Sequence, residues 1–157
     1  MTSKLKAELV GETQVRMIRH FASSPERVFR AHFEPALVKQ WMLGPPGWSM
    51  PVCEIAPAVG APIHIEWEKD TGGERFGVTG AVRELDPPHR SVHTELFGFP
   101  GATESVVETW YIRDGTGTRL EMVITYTSKE ARDAAMSSGM TDGMDASYAR
   151  IDALAFA

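Results

Sequence analysis

The chain has 157 residues, 43% of them hydrophobic and 24% charged, the balance of a globular protein built as one domain of ordinary size. A formal charge of −5, with Lys and Arg scattered, excludes a nucleic-acid binder, which needs a clustered basic face to displace counterions from phosphates. Cys53 is the single cysteine, which excludes an intramolecular disulfide framework and a cysteine-based metal cluster. No apolar stretch has the length to span a bilayer, and the first residues lack the apolar segment of a signal peptide, so a cytoplasmic protein with no membrane partner is expected.

Residues 1–12 read as a polar lead-in, and residues 13–157 as a single domain. Residues 13–21 alternate, with Val15 and Met17 set against Gln14, Arg16 and Arg19, which predicts a strand. A helix start follows, with Ser23 and Glu26 at capping-box spacing and Pro25 in the first turn. Val28, Phe29, His32 and Phe33 share one face of that helix. Glu34-Pro35 then interrupts it before a second short helix carrying Leu37, Val38 and Trp41.

After the loop at residues 44–47 the pattern changes to period two and holds for some eighty residues. Strands are expected at 50–56, 62–68, 76–85, 90–97, 105–113 and 118–127, joined by short Gly-, Pro- and Asp-rich turns. Within the second, Ile63, Ile65 and Trp67 point one way, and His64, Glu66 and Glu68 form a solvated face. Trp110 and Tyr111 lie on opposite faces of one strand, so one of them should face the interior. From residue 128 the chain turns helical. The order is β-α-α-β-β-β-β-β-β-α, an α+β helix-grip arrangement with a curved antiparallel sheet around a long C-terminal helix.

That last helix carries the functional signal. Met136, Met140, Met144, Tyr148 and Ile151 recur at helical spacing, so they form one face. Methionine adapts its shape and suits promiscuous apolar pockets, although a stripe of this kind also serves as ordinary core packing. Gly139 and Gly143 beside this face each cost roughly 1 kcal/mol relative to Ala in a helix interior. Either the helix breaks near residues 137–139, or the missing side chains leave room for a ligand.

Several phrases, in order, resemble the START-like superfamily of polyketide cyclases and pollen-type allergens, and within it the branch related to the activator of the heat-shock protein 90 ATPase. They are residues 24–29 (SPERVF), 39–45 (KQWMLGP), 84–90 (ELDPPHR) and 115–120 (GTGTRL), followed by Gly143, Met144, Tyr148, Asp152 and Leu154 in the closing helix. The chain departs from that pattern at Val59-Gly60-Ala61, where the family has paired glycines, and at Met42, where it has a second tryptophan. The resemblance implies a pocket between the concave sheet face and the last helix. Met140, Met144, Tyr148 and Ile151 would form its helical wall, and Trp41, Trp67, Phe76 and Trp110 are the aromatic candidates for the remaining lining.

Chemistry is less legible. His32, His64, His93, Glu66, Glu95, Glu108, Tyr111, Tyr126 and Tyr148 are the polar groups available to an interior site, and His93 and Glu95 share a face whose side the pattern leaves open. No HExxH spacing and no Gly-x-Ser-x-Gly elbow occurs, so neither a metal ion nor a serine nucleophile is expected, and the catalytic residues remain unknown. No cofactor is called for. The leading expectation is an apolar or aromatic small molecule as partner. The alternatives are a cyclase- or dehydratase-like enzyme acting on a polyketide-like aromatic substrate, and a chaperone-associated interaction module that no motif supports. Homodimerisation stays open.

Overall fold

The computed structural model describes residues 4–154 and Phe156; residues 1–3 of the expected lead-in lie outside them. Eight antiparallel strands form one sheet in the order β1-β2-β8-β7-β6-β5-β4-β3. They are β1 (Lys6–Val10), β2 (Gln14–Phe21), β3 (Trp48–Glu54), β4 (Pro62–Lys69), β5 (Arg75–Asp86), β6 (Arg90–Phe97), β7 (Ser105–Asp114) and β8 (Gly117–Thr125). The last six run as a meander, and β8 returns to pair with β2. The period-two reading therefore identified each of these six strands, with ends that differ by a few residues.

The lead-in reads as polar and poorly anchored, yet Lys6–Val10 forms an edge strand, Ala7 opposite Met17 and Leu9 opposite Val15. Every residue of this strand is exposed. With little apolar surface buried, its composition gave no strong signal. Main-chain pairing with β2 is what holds it.

Helices α1 (Pro25–Phe33) and α2 (Pro35–Trp41) follow β2. The cap of α1 is Ser24, whose hydroxyl accepts from the Arg27 amide at 3.4 Å, with Pro25 at the first helical position. Ser23, the expected cap, is engaged elsewhere: its amide and hydroxyl both donate to Asp152, at 3.0 and 2.9 Å. Glu34 is extended and ends α1, and Pro35 restarts the chain as α2.

The expected long C-terminal helix is two helices, α3 (Lys129–Ser137) and α4 (Met140–Tyr148), closed by a 3-10 turn at Ile151–Ala153. The break falls at Gly139, whose φ of 86° is left-handed and suits glycine. Each part is clamped separately. Arg132 of α3 donates to the carbonyls of Gly11 and Gln14 at 3.2 and 3.1 Å. Beyond α4, Arg150 donates to those of Trp41 and Gly44 at 3.1 and 2.7 Å.

The core lies between the concave sheet face and the helices. Val15, Met17 and Phe21 of β2 meet Leu120, Met122 and Ile124 of β8, and α1 and α2 contribute Val28, Phe29, Phe33, Val38 and Trp41. Among the described residues no helix is long and apolar enough to cross a membrane.

Candidate functional site

Strand alternation sorts the site residues. On β7 the buried set is Ser105, Val107, Thr109 and Tyr111, so Tyr111 faces inward. Trp110, expected as a lining candidate, is paired with Arg90 and Glu121 on the convex face and is half-buried there. It is not brought together with the others. On β6 the partners of Ser91, His93 and Glu95 are Thr109, Val107 and Ser105, which puts His93 and Glu95 on the concave side.

The interior beneath α4 is crowded with rings. Tyr148 stacks on Trp41 at 5.4 Å and meets Phe21 edge-on at 5.6 Å. Tyr111 stands edge-on to both Phe29 and His32, at 5.3 and 5.4 Å. Trp41 is 2% exposed and its indole N–H donates to the Ala31 carbonyl at 2.8 Å, while Ile151 is sealed from solvent. These contacts give Trp41, Tyr148 and Ile151 a packing role whatever else they do.

A second aromatic group gathers toward the far end of the sheet. Trp67 stacks on Phe76 at 4.9 Å, Phe76 on Phe99 at 5.5 Å, and Trp48 meets Phe76 edge-on at 5.3 Å. Phe97 lies parallel to Trp67 and Phe99 at 6.5 and 6.1 Å. The Trp67 indole donates to the Met42 carbonyl at 2.7 Å, which ties this group to the loop after α2. Phe99 is 53% exposed, so the cluster opens to solvent.

Polar groups stand among these rings. His93 Nε2 lies 3.0 Å from Glu95 Oε2, and Glu95 acts electrostatically on both Tyr126 and Tyr148. The Tyr126 hydroxyl donates to Met140 Sδ at 3.5 Å, and burial, with a contribution from Glu95, pushes its pKa up to about 12. Burial drives Tyr111 and Tyr148 further above the ordinary phenol value, so each is a neutral donor. Ser91 and Tyr111 share a hydrogen bond at 3.2 Å.

His32 is the most perturbed base. Its Nδ1 lies 2.7 Å from the Val28 carbonyl, which assigns the proton to Nδ1 and leaves a lone pair on Nε2. That Nε2 is sealed from solvent without a partner among the described residues, although the residue as a whole is only half-buried. Burial lowers its pKa to about 4, so it is neutral at neutral pH.

Met136, Met140 and Met144 are half-buried against the core. Of the two glycines beside them, Gly139 is explained by the helix break. Gly143 is explained by neither turn nor crowding, since a Cβ there would meet nothing within 4 Å. The convex face carries an open groove of about 480 Å³ bounded by His64, Glu66, Arg75, Thr79 and Leu96. Its charges neutralise one another, Glu66 bonding to both His64 and Arg75 at 2.8 Å, as a solvated face requires. No group of three or more His, Cys, Asp or Glu side chains placed to hold a metal ion occurs among the described residues.

Two features of this interior escaped sequence reasoning. Arg19 was grouped with the polar face of β2, yet it is 3% exposed on the buried face. Its phase with Val15, Met17 and Phe21 is the signal that would have found it. The inward side of His93 and Glu95 needed the pairing of β6 with β7.

The fold is shared with known structures. A crystal structure of a Rhodobacter sphaeroides protein is 33% identical, covers 96% of each chain and superposes with a TM-score of 0.89. A Mycobacterium smegmatis protein is 20% identical over 97% of this chain and 98% of its own, with a TM-score of 0.79. A Silicibacter pomeroyi protein described as AHSA1 is 23% identical over 89% and 95%, with a TM-score of 0.71. Comparison with curated proteins found no match. The family model described as Activator of Hsp90 ATPase homolog 1-like protein matches residues 22–155. With its helix-grip fold and nearly its whole length matched, the chain belongs to the family of activator of Hsp90 ATPase homolog 1-like proteins.

Proposed function

We propose that the chain binds an apolar or aromatic small molecule between the concave sheet face and α4, and that it works in the cytoplasm. The observation that carries this reading is the composition of the α4 face: half-buried Met140 and Met144 beside Gly143, whose missing side chain leaves free space. Deformable side chains next to an unfilled position suit a wall that adjusts to its occupant. Tyr148 and Ile151 continue that wall. Trp67 and Phe76 flank the entrance at the solvent-facing aromatic cluster, and Trp41 supports Tyr148 from behind. Trp110 has no place in this site.

Native mass spectrometry of the purified protein, beside a denatured control, tests the proposal. A co-purified small molecule released on denaturation supports it. An empty protein that also fails to bind aromatic probes overturns it.

A second reading, an enzyme acting on a polyketide-like aromatic substrate, is favoured by one observation. The His93–Glu95 pair and the neutral Tyr148, Tyr126 and His32 side chains converge on the same interior. Such a set holds both a proton acceptor and neutral donors. Under this reading His93→Gln abolishes turnover and leaves ligand affinity unchanged. A chaperone partner rests on the family description alone.

A further inference from the structure

The Arg19 guanidinium is a buried cation that the described protein leaves without a counter-ion. Its residue is 3% exposed, and it forms no ion pair with any described carboxylate. Its Nη1 donates to the His20 carbonyl, while Nε is buried without a partner among the described residues. The guanidinium lies 4.8 Å from the centre of the Phe21 ring, which itself stands edge-on to Tyr148.

The nearest negative charges act on it from a distance, and both are held by other donors. Asp145 accepts the Leu5 amide at 2.9 Å, and Asp152 accepts the amides of Ala22 and Ser23 at 3.0 Å each. Burial pulls the Arg19 pKa down, against the opposing charges of Asp152 and Asp145. An arginine remains protonated even so, and a buried charge is normally paired. This one lies on the buried face of β2, in phase with Met17 and Phe21, with its Nε donor left over among the described residues.

We infer that Arg19 is the anion anchor of the interior site, taking the carboxylate of a ligand whose aromatic body lies along the Met140–Met144 face of α4. The inference rests on the small-molecule reading above and sharpens it to a substrate class: apolar, aromatic monocarboxylates. A guanidinium fork matches a carboxylate, and its preformed, dehydrated position favours a charged oxygen pair over a hydroxyl of the same size.

The test uses two probes with the same aromatic body, 2-naphthoate and 2-naphthylmethanol, titrated calorimetrically into the wild type, Arg19→Met and Arg19→Lys. The wild type is expected to bind the naphthoate at least roughly tenfold more tightly than the alcohol, as charge-assisted pairing requires. Arg19→Met should erase that preference and keep the alcohol affinity, and Arg19→Lys should retain part of it. If Arg19→Met does not fold, the wild-type preference and its reduction in Arg19→Lys decide the matter. Equal binding of both probes by the wild type, or a preference that survives Arg19→Met, overturns the anchor and leaves the pocket standing. Binding of neither probe overturns the anchor and the pocket together.

Discussion

Trp41 and Tyr148 stack with their ring planes 17° apart and their centres 5.4 Å apart, joining α2 to α4 across the interior. The contact places the C-terminal end of α4 firmly, because Arg150 and Ser147 bind the same α2 loop, Ser147 Oγ accepting the Gly44 amide at 2.8 Å. The N-terminal end of α4 begins at the Gly139 break and touches Tyr126 through Met140. One end of the helical wall is therefore pinned and the other is jointed.

Trp41→Ala should cost about 3–5 kcal/mol of stability, the usual range for emptying a large aromatic site. The loss also frees the Ala31 carbonyl from its indole donor. Chemical denaturation measures it. A loss below about 1 kcal/mol would show that the Trp41–Tyr148 stack does not hold α4 in place.

The two glycines of the C-terminal segment should respond oppositely to alanine. At Gly143, which is helical and has open space around its Cα, Gly143→Ala should stabilise by up to about 1 kcal/mol. At Gly139, with φ at 86°, Gly139→Ala should destabilise by about 1–2 kcal/mol because a Cβ disfavours that backbone region. Thermal unfolding of the pair reads both signs, and two shifts in the same direction would contradict the assignment of the helix break.

Met144→Trp replaces a deformable side chain of the proposed wall with a rigid ring. The variant should keep its stability within about 1 kcal/mol while losing 2-naphthylmethanol binding, since half-buried methionine tolerates replacement better than a sealed core position does. Calorimetric titration checks the affinity. Unchanged affinity would move the binding site away from α4.

His32 should make stability depend on pH. Its folded pKa, about 4, lies below the ordinary 6.5, so the unfolded chain takes up the proton first. The contribution is complete above pH 6.5 and is lost as pH falls toward about 4. Across that window the wild type should lose up to about 3 kcal/mol from this group. His32→Phe should flatten the curve there, and an unchanged slope would contradict the buried neutral imidazole.

Much of the architecture was legible because the physics behind it is local. Alternation in β4 to β8 survives in the sequence as rows such as Ile63, Ile65 and Trp67, and the Gly115 turn between β7 and β8 is written in its own residues. The edge strand β1 was not legible, since Lys6–Val10 buries nothing and relies on β2 for its pairing. The helix break was anticipated as one of two readings of Gly139 and Gly143, and the structure divides them, a break at the first and open space at the second.

The candidate site reads from the sequence as one helical face, and the structure divides that face: Met136 lies on α3, Met140, Met144 and Tyr148 on α4, and Ile151 in the 3-10 turn beyond it. Trp110 and Tyr111 needed the sheet to decide which of them looks inward, and the answer is Tyr111. The charge of Arg19 argues for the polar face of β2, and its phase with Val15, Met17 and Phe21 puts it on the buried one. A cation at a core position is the kind of local conflict that marks functional sites.

The proposed site places a small aromatic molecule against the Met140–Met144 face of α4. Methyl-labelled methionine NMR tests it most directly, because the eight methionines include Met140 and Met144 on the proposed wall and Met50 and Met122 in the core. On titration with 2-naphthoate, the Met140 and Met144 methyl signals, assigned by Met→Leu variants, should shift most and should do so saturably. Saturable shifts elsewhere, with Met140 and Met144 unmoved, would contradict the account.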